Sequence, residues 1–139
     1  EIKLIDFGFA KVLKRGEILT EFIGTAGYSA PEILRGVGYG FPCDAWSMGV
    51  CAFMIFAGEY PIPLPKDAKD MKDPKALLRM MEEHRISYKS SSFSIPKEGL
   101  DMVKKLLQKD PSTRSSPKEI LSRDLWLRAA GRGGQTNCF

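Results

Sequence analysis

Residues 44–58 read DAWSMGVCAFMIFAG, and this stretch decides the fold. From Ala45 to Ala57, 11 of 13 residues are apolar. The carboxylate of Asp44 can cap the start of a helix, and Gly58 can end the helix in the left-handed conformation. Because a helix that is apolar on every side is buried on every side, we expect a central helix that the rest of the chain surrounds. If the chain stands alone, one flank of this helix should lie exposed.

Further helices are predicted from local start signals and helical spacing. Asp73-Pro74 and Ser116-Pro117 each place a capping residue before a first-turn proline, and Glu119 completes a capping box with Ser116. Residues 97–108 carry apolar side chains at helical spacing between these two starts. The predicted packing positions are Leu77, Leu78, Met81, Leu100, Val103, Leu106, Leu107, Ile120, Leu121, Leu125 and Trp126. With a short helix from Pro31 and a short strand leading to Asp6, the fold class is mainly α.

The composition is that of a folded soluble domain. The chain has 139 residues, of which 43% are apolar and 27% charged. Its 21 basic and 17 acidic residues give a net charge of +4, without a run of like charges. This predicts no nucleic-acid partner. The most apolar stretch is shorter than the ~20 residues that cross a bilayer, so no membrane span is expected.

The cysteines indicate a reducing compartment. Cys43, Cys51 and Cys138 are odd in number and show no C-x-x-C spacing. A disulfide framework or a zinc site is therefore not predicted. We expect reduced thiols and a cytoplasmic location, with the nucleus as the alternative.

Four short motifs occur in order along the chain. They are Asp6-Phe7-Gly8, Gly24-Thr25-x-x-Tyr28-x-Ala30-Pro31-Glu32, Asp44-x-Trp46-Ser47-x-Gly49 and Asp110-Pro111-x-x-Arg114. Together they resemble the last two thirds of the C-terminal lobe of a eukaryotic Ser/Thr protein kinase. The resemblance covers residues 1–127 and implies a helical lobe with an activation segment. Residues 128–139 are predicted to form a flexible tail.

The resemblance implies ATP and Mg²⁺ as cofactors of the complete kinase. Asp6 would bind the Mg²⁺ that bridges the ATP phosphates, because a hard cation takes oxygen ligands. Phe7 and Gly8 would open the activation segment, with Phe7 packing under a helix of the N-terminal lobe. Taken alone, without the other motifs, Asp6 is better explained as an ordinary aspartate in a strand-to-turn transition.

The resemblance also implies a substrate-binding loop. Its residues would be Gly24, Thr25, Ala26, Gly27 and Tyr28. Thr25 would tie this loop to the catalytic base and to the lysine beside it, which indicates Ser/Thr specificity. Thr20 lies in the activation segment where family members carry an activating phosphate, although an ordinary loop threonine is the alternative.

Two structural roles follow from the same resemblance. Glu32 and Arg114 would form a buried ion pair that fixes the activation segment to the lobe. Asp44 would anchor the catalytic loop by accepting hydrogen bonds from its backbone, in addition to capping the central helix.

Three requirements of phosphoryl transfer have no counterpart in the sequence. There is no glycine-rich loop after a strand, no strand lysine for the phosphates, and no catalytic loop with its aspartate base. No catalytic residue is therefore assigned in this chain, and the base is expected upstream. We expect the chain alone to be inactive, with protein substrates and the N-terminal lobe of the same kinase as partners. The alternative is a non-catalytic binding module, a truncated or pseudokinase lobe that docks proteins.

Within the family, three stretches are similar to calcium/calmodulin-dependent and calcium-dependent kinases. They are Ile23-Gly24-Thr25-Ala26, Leu34-Arg35-Gly36 and Cys43-Asp44-x-Trp46-Ser47. Asp6-Phe7-Gly8-Phe9-Ala10-Lys11 is instead similar to cyclic-nucleotide-dependent kinases, and the first relationship is favoured. The sequence contains no EF-hand calcium loop.

Overall fold

A computed structural model describes residues 3–65, 73–88 and 97–123. Within these ranges the chain is mainly helical, as predicted, with five α-helices after a single 3₁₀ turn at Ala26–Tyr28. The helices are α1 (Pro31–Arg35), α2 (Pro42–Ala57), α3 (Pro74–Glu83), α4 (Lys97–Leu106) and α5 (Pro117–Arg123). The predicted tail at 128–139, together with Leu125 and Trp126, lies outside the described residues.

Helix α2 is the centre of the core. Trp46, Val50 and Phe53 are at most 2% exposed, and further buried apolar side chains lie on α1, α3, α4 and α5 and in the connections between helices. Helix α4 packs closely against α2 at Gly49, where an added Cβ would lie 2.8 Å from Leu107 Cδ2 and 2.9 Å from Leu106 Cβ. A glycine inside a helix lowers helix propensity, so its presence here is explained by this close approach.

The start and the burial of α2 differ from the sequence prediction. The helix begins at Pro42, and Asp44 lies in its first turn instead of at the N-cap. A proline fits the first helical position because its missing N–H would have no partner there, so the helix starts three residues earlier than predicted. The carboxylate of Asp44 still lies near the positive end of the helix dipole.

Helix α2 is not buried on every side in the part of the chain that is described. Met48 is 50% exposed and Ile55 is 81% exposed, and Cys51 between them is also exposed. These three residues share one face at helical spacing, and we call them the α2 stripe. The expected exposed flank is therefore confirmed, and Gly58 ends the helix with φ 71° as predicted.

The other predicted caps are present. Asp73 Oδ1 accepts a hydrogen bond from the Lys75 N–H at 2.9 Å at the start of α3. At the start of α5, Glu119 accepts from the Ser116 N–H at 2.8 Å, and the Ser116 hydroxyl accepts from the Glu119 N–H at 3.2 Å. These reciprocal bonds form the capping box.

The predicted N-terminal strand is not formed by residues 3–5. Leu4 and Ile5 are 86% and 83% exposed, and the described residues provide no neighbouring strand for their backbone. A strand needs such a neighbour because its N–H and C=O groups bond sideways. The only β pairing within the described ranges is the antiparallel bridge between Leu19 and Tyr39. No described helix is long and apolar enough to cross a membrane.

We predict that Gly49→Ala destabilises the domain. The new methyl group would overlap Leu106 and Leu107, and overpacking of this kind costs ~1–3 kcal/mol. The gain in helix propensity of ~1 kcal/mol offsets only part of that cost. Urea unfolding should show a lower midpoint, whereas Met48→Ala on the exposed side of α2 should change it little. Equal midpoints for Gly49→Ala and the parent chain would contradict the close packing.

Candidate functional site

Asp6 lies in a tight, exposed turn. Its φ of 62° makes it the one described non-glycine residue with positive φ. Its Oδ1 accepts a hydrogen bond from the Gly8 N–H at 3.2 Å, and the Ala10 N–H donates to Phe7 O at 3.0 Å. Aspartate tolerates the left-handed region because its short side chain bonds locally. Phe7 itself is 68% exposed.

The chain after Asp6, which is the predicted activation segment, next crosses the connection between α1 and α2. The Leu19 and Tyr39 backbones exchange two hydrogen bonds of 2.8 Å, and the Tyr39 hydroxyl donates to Glu21 O at 2.8 Å. Thr20, between the two contacted residues, is exposed. This contact precedes the predicted substrate-binding loop.

The predicted substrate-binding loop is folded against the core. Gly24 has φ 101°, and Ala26 and Gly27 are buried in the 3₁₀ turn that follows. The ring of Tyr28 meets the ring of Tyr60 edge to face, with centroids 5.6 Å apart. A Cβ on Gly27 would lie 3.0 Å from Tyr60 Cε1, so Tyr60 also requires a glycine here.

The loop is tied to α2 through its backbone. The Ser47 hydroxyl donates to Tyr28 O at 2.9 Å. A hydrogen bond with Tyr60 raises the pKa of Tyr28 above its ordinary value, and burial adds to this shift. Tyr28 is therefore a neutral phenol at physiological pH. The neutral rings of Tyr28 and Tyr60 therefore form one side of the loop, and that side carries no charge from these two residues.

Glu32 and Arg114 meet in the interior, 82 positions apart in sequence. Arg114 Nη1 donates to Glu32 Oε1 at 2.6 Å, and Nη2 donates to Oε2 at 2.9 Å. The guanidinium also donates to Pro42 O at 2.7 Å and to Gln108 O at 3.0 Å. It lies 5.3 Å from the centre of the Trp46 ring. One arginine thus joins α1, the start of α2 and the turn after α4.

A cavity of about 440 Å³ lies between the activation segment and the start of α2. Thr25 and Asp44 both line it, together with Leu19, Glu21 and Tyr39. Thr25 and Asp44 are exposed, and the Cys43 thiol lies 3.7 Å from Asp44 Oδ1. Burial raises the pKa of Cys43 to about 11, with a further contribution from the Asp44 carboxylate. Cys43 is therefore a thiol at neutral pH, not a nucleophilic thiolate.

The structure thus brings some predicted site residues together and leaves others apart. Thr25 and Asp44 share the cavity, and Glu32 and Arg114 share an ion pair. Asp6 and Thr20 do not line the cavity. Tyr39 and Tyr60 belong to none of the four motifs, so the sequence pattern does not reveal their contacts. The one available signal is that Tyr39 lies between two glycines.

The set of motifs, the helical architecture and the buried ion pair define a kinase-type lobe, and comparison with known proteins agrees. Residues 1–126 match the family described as "Protein kinase domain", and the chain belongs to this family. It is 37% identical over 128 residues to human SNF-related serine/threonine-protein kinase, covering 91% of this chain and 15% of that protein. It is likewise 37% identical over 133 residues to mouse testis-specific serine/threonine-protein kinase 2, covering 91% and 35%.

A third relative is also named as a kinase. The chain is 34% identical over 138 residues to the rat phosphorylase b kinase gamma catalytic chain, liver/testis isoform, covering 94% of this chain and 32% of that protein. The chain therefore spans between 15% and 35% of the length of these three relatives.

The described residues fit a magnesium ion only in part. Asp6 offers one exposed carboxylate, but no group of three or more His, Cys, Asp or Glu side chains is arranged around a metal position in the described ranges. Mg²⁺ commonly takes one or two carboxylates and completes its octahedron with phosphate oxygens and water. Asp6 is thus suited to supply one ligand of a shared site.

We predict that Arg114→Ala destabilises the domain strongly. Removing the guanidinium leaves Glu32 charged and buried, which costs ~3–5 kcal/mol. Arg35 and Glu82 form a matched exposed pair at 3.3 Å, and Arg35→Ala should cost less than ~1 kcal/mol. Both variants are compared by urea unfolding. If both variants lost similar free energy of unfolding, burial of the Glu32–Arg114 pair would not explain the effect, and the prediction would be wrong.

Proposed function

We propose that this chain is part of an ATP-dependent protein serine/threonine kinase that transfers the γ-phosphoryl group of ATP to Ser or Thr of protein substrates. The observation that carries the proposal is the course of residues 6–32. This segment starts at the strained Asp6 turn and ends at the buried pair of Glu32 with Arg114. Membership of the protein kinase family gives this arrangement its chemical meaning.

In this proposal Asp6 holds the metal. Bound Mg²⁺ supplies charge neutralisation at the phosphates during transfer. The φ of 62° places the Asp6 carboxylate at an exposed turn, where a bound nucleotide can be reached. Positive φ is uncommon for a non-glycine residue, and Asp6 is the one such residue in the described ranges that adopts it.

The cavity is proposed as the seat of the catalytic loop. Thr25 and Asp44 offer a hydroxyl group and a carboxylate to the same space. A catalytic loop in that space could donate backbone N–H groups to Asp44 and present its base and lysine to Thr25. Since no such loop occurs in the sequence, residues 1–139 alone are proposed to be inactive.

The loop from Gly24 to Tyr28 is proposed to bind the substrate. Its burial against Tyr60 gives a fixed wall beside the cavity, as positioning of an attacking hydroxyl requires. Thr25 at the cavity supports serine/threonine over tyrosine specificity. The partners are protein substrates and the N-terminal lobe of the same kinase, in the cytoplasm or the nucleus.

A closer relationship to calcium/calmodulin-dependent and calcium-dependent kinases is part of the proposal. It rests on Ile23-Gly24-Thr25-Ala26, on Leu34-Arg35-Gly36 and on the residues around Asp44. Any calcium sensor would be a separate element, because the sequence contains no EF-hand loop.

A non-catalytic binding module is the second candidate. The α2 stripe favours it, since Met48 and Ile55 leave apolar surface exposed in the described residues. The two candidates differ at Asp6, because a docking module has no use for a metal ligand.

We predict that Asp6→Asn abolishes phosphoryl transfer without unfolding the protein. The full-length gene product is assayed with radiolabelled ATP and a Ser/Thr peptide. Loss of the carboxylate should lower kcat by at least about 100-fold, because the metal charge is no longer held at the phosphates. Asp101→Asn on the exposed face of α4 is the control and should leave the rate unchanged. Equal rates for Asp6→Asn and the parent, or transfer by residues 1–139 alone, would refute the proposed roles.

We also predict that Thr20 carries a phosphate in the active protein. Its exposed side chain is accessible to a modifying kinase, and a phosphate there would order the segment through an arginine outside this chain. Mass spectrometry of the active gene product should find phospho-Thr20, and Thr20→Ala should lower its activity. Fully active protein with unmodified Thr20 would contradict this.

A further inference from the structure

Tyr39 contacts the activation segment through both its backbone and its side chain. Its N–H donates a hydrogen bond to Leu19 O at 2.8 Å, and its C=O accepts one from the Leu19 N–H at 2.8 Å. Its hydroxyl reaches two residues further along the segment and donates to Glu21 O at 2.8 Å. Three hydrogen bonds from one residue therefore hold two backbone positions of the segment.

The neighbouring Gly38 allows this approach. Its φ is 92°, and an added Cβ would lie 3.0 Å from Ile18 Cδ1. A larger residue at this position would be strained and would also press on the segment. Gly36, by contrast, has φ 66° but nothing within 4 Å of an added Cβ. The positive φ accounts for glycine at 38, and the short distance shows how closely Gly38 approaches Ile18 of the segment.

The contact falls between the exposed and the buried parts of the segment. Lys3 to Phe22 are largely exposed, with Leu13 and Leu19 partly covered, whereas Ala26 to Glu32 are largely buried. Leu19 and Glu21 line the cavity, and Thr20 between them is exposed. An extended backbone alternates its side chains in this way, so holding residues 19 and 21 keeps Thr20 towards solvent.

We propose that Tyr39 is a positioning residue of the kinase. Its hydrogen bonds to residues 19 and 21 fix the backbone that leads into the substrate-binding loop at Gly24, and they present Thr20 on the outer side. The effect on peptide substrates rests on the proposed function, whereas the anchoring of residues 19–21 does not. Burial raises the pKa of Tyr39, so its phenol keeps the proton that it donates.

Amide hydrogen exchange of the 139-residue chain tests the anchoring. Tyr39→Phe removes only the hydroxyl group and should speed exchange of the Leu19 amide about 3- to 10-fold, as expected for the loss of one hydrogen bond. Gly38→Ala keeps the hydroxyl but displaces Ile18, and should speed the same amide. Tyr88→Phe and Gly36→Ala are the matched controls, since the Tyr88 ring packs against Phe53 and a Cβ on Gly36 would have nothing within 4 Å.

The amides of α2 distinguish a local anchor from a general loss of stability. If Tyr39 acts as proposed, exchange in α2 stays unchanged while Leu19 exchanges faster. A uniform increase across α2, or no change at Leu19 in Tyr39→Phe, would overturn the proposal.

A kinetic measurement on the full-length gene product tests the positioning role. Tyr39→Phe should raise KM for a peptide substrate several-fold and leave KM for ATP unchanged, because only the peptide contacts the loop after Gly24. Equal changes in both KM values, or none, would overturn the positioning role. If the parent shows no transfer at all, the proposed function fails, and the exchange measurement still decides whether Tyr39 anchors the segment.

Discussion

The buried pair of Arg114 with Glu32 is the interaction on which the rest of the structure depends. The guanidinium bonds both carboxylate oxygens and also two backbone carbonyls, which brings α1, α2 and the turn after α4 to one point. A buried ion pair is weak evidence for net stability, because desolvation of the two charges offsets their attraction. Its value here lies in geometry: a planar group with fixed donor directions accepts only one arrangement of these three elements.

This anchor divides the activation segment into parts with different properties. From Ala26 onward the segment shares the core, because its end is fixed at Glu32 and Tyr28 O is bonded to Ser47. Before Gly24 the backbone is exposed and is held mainly at Tyr39. This division fits the proposed function, in which the loop from Gly24 to Tyr28 is preorganised for substrate and Thr20 stays accessible for modification.

Contacts between residues close in sequence were predictable from the sequence alone, whereas contacts between residues far apart in sequence were not. The caps at Asp73 and Ser116 involve neighbouring residues, so their motifs specify them completely. The pair of Glu32 with Arg114 spans 82 positions, and only resemblance to a family indicated it. The predicted start of α2 was three residues too late, because Pro42 takes the first helical position and Asp44 falls within the first turn. Tyr39 acts largely through its backbone, and backbone contacts leave no pattern in a single sequence.

Helix α2 carries more apolar side chains than the described core buries. Helix α3 has a polar and an apolar face, and it buries Leu77 and Met81 while exposing its charges. Helix α2 is apolar on both faces, yet it buries only the face of Trp46, Val50 and Phe53 in the described residues. The α2 stripe and the cavity beside Asp44 lie along the same helix. Since Met48 and Ile55 remain exposed among the described residues, the apolar side chains on that face add nothing to this core, and α2 is more apolar than the packing of the described residues requires.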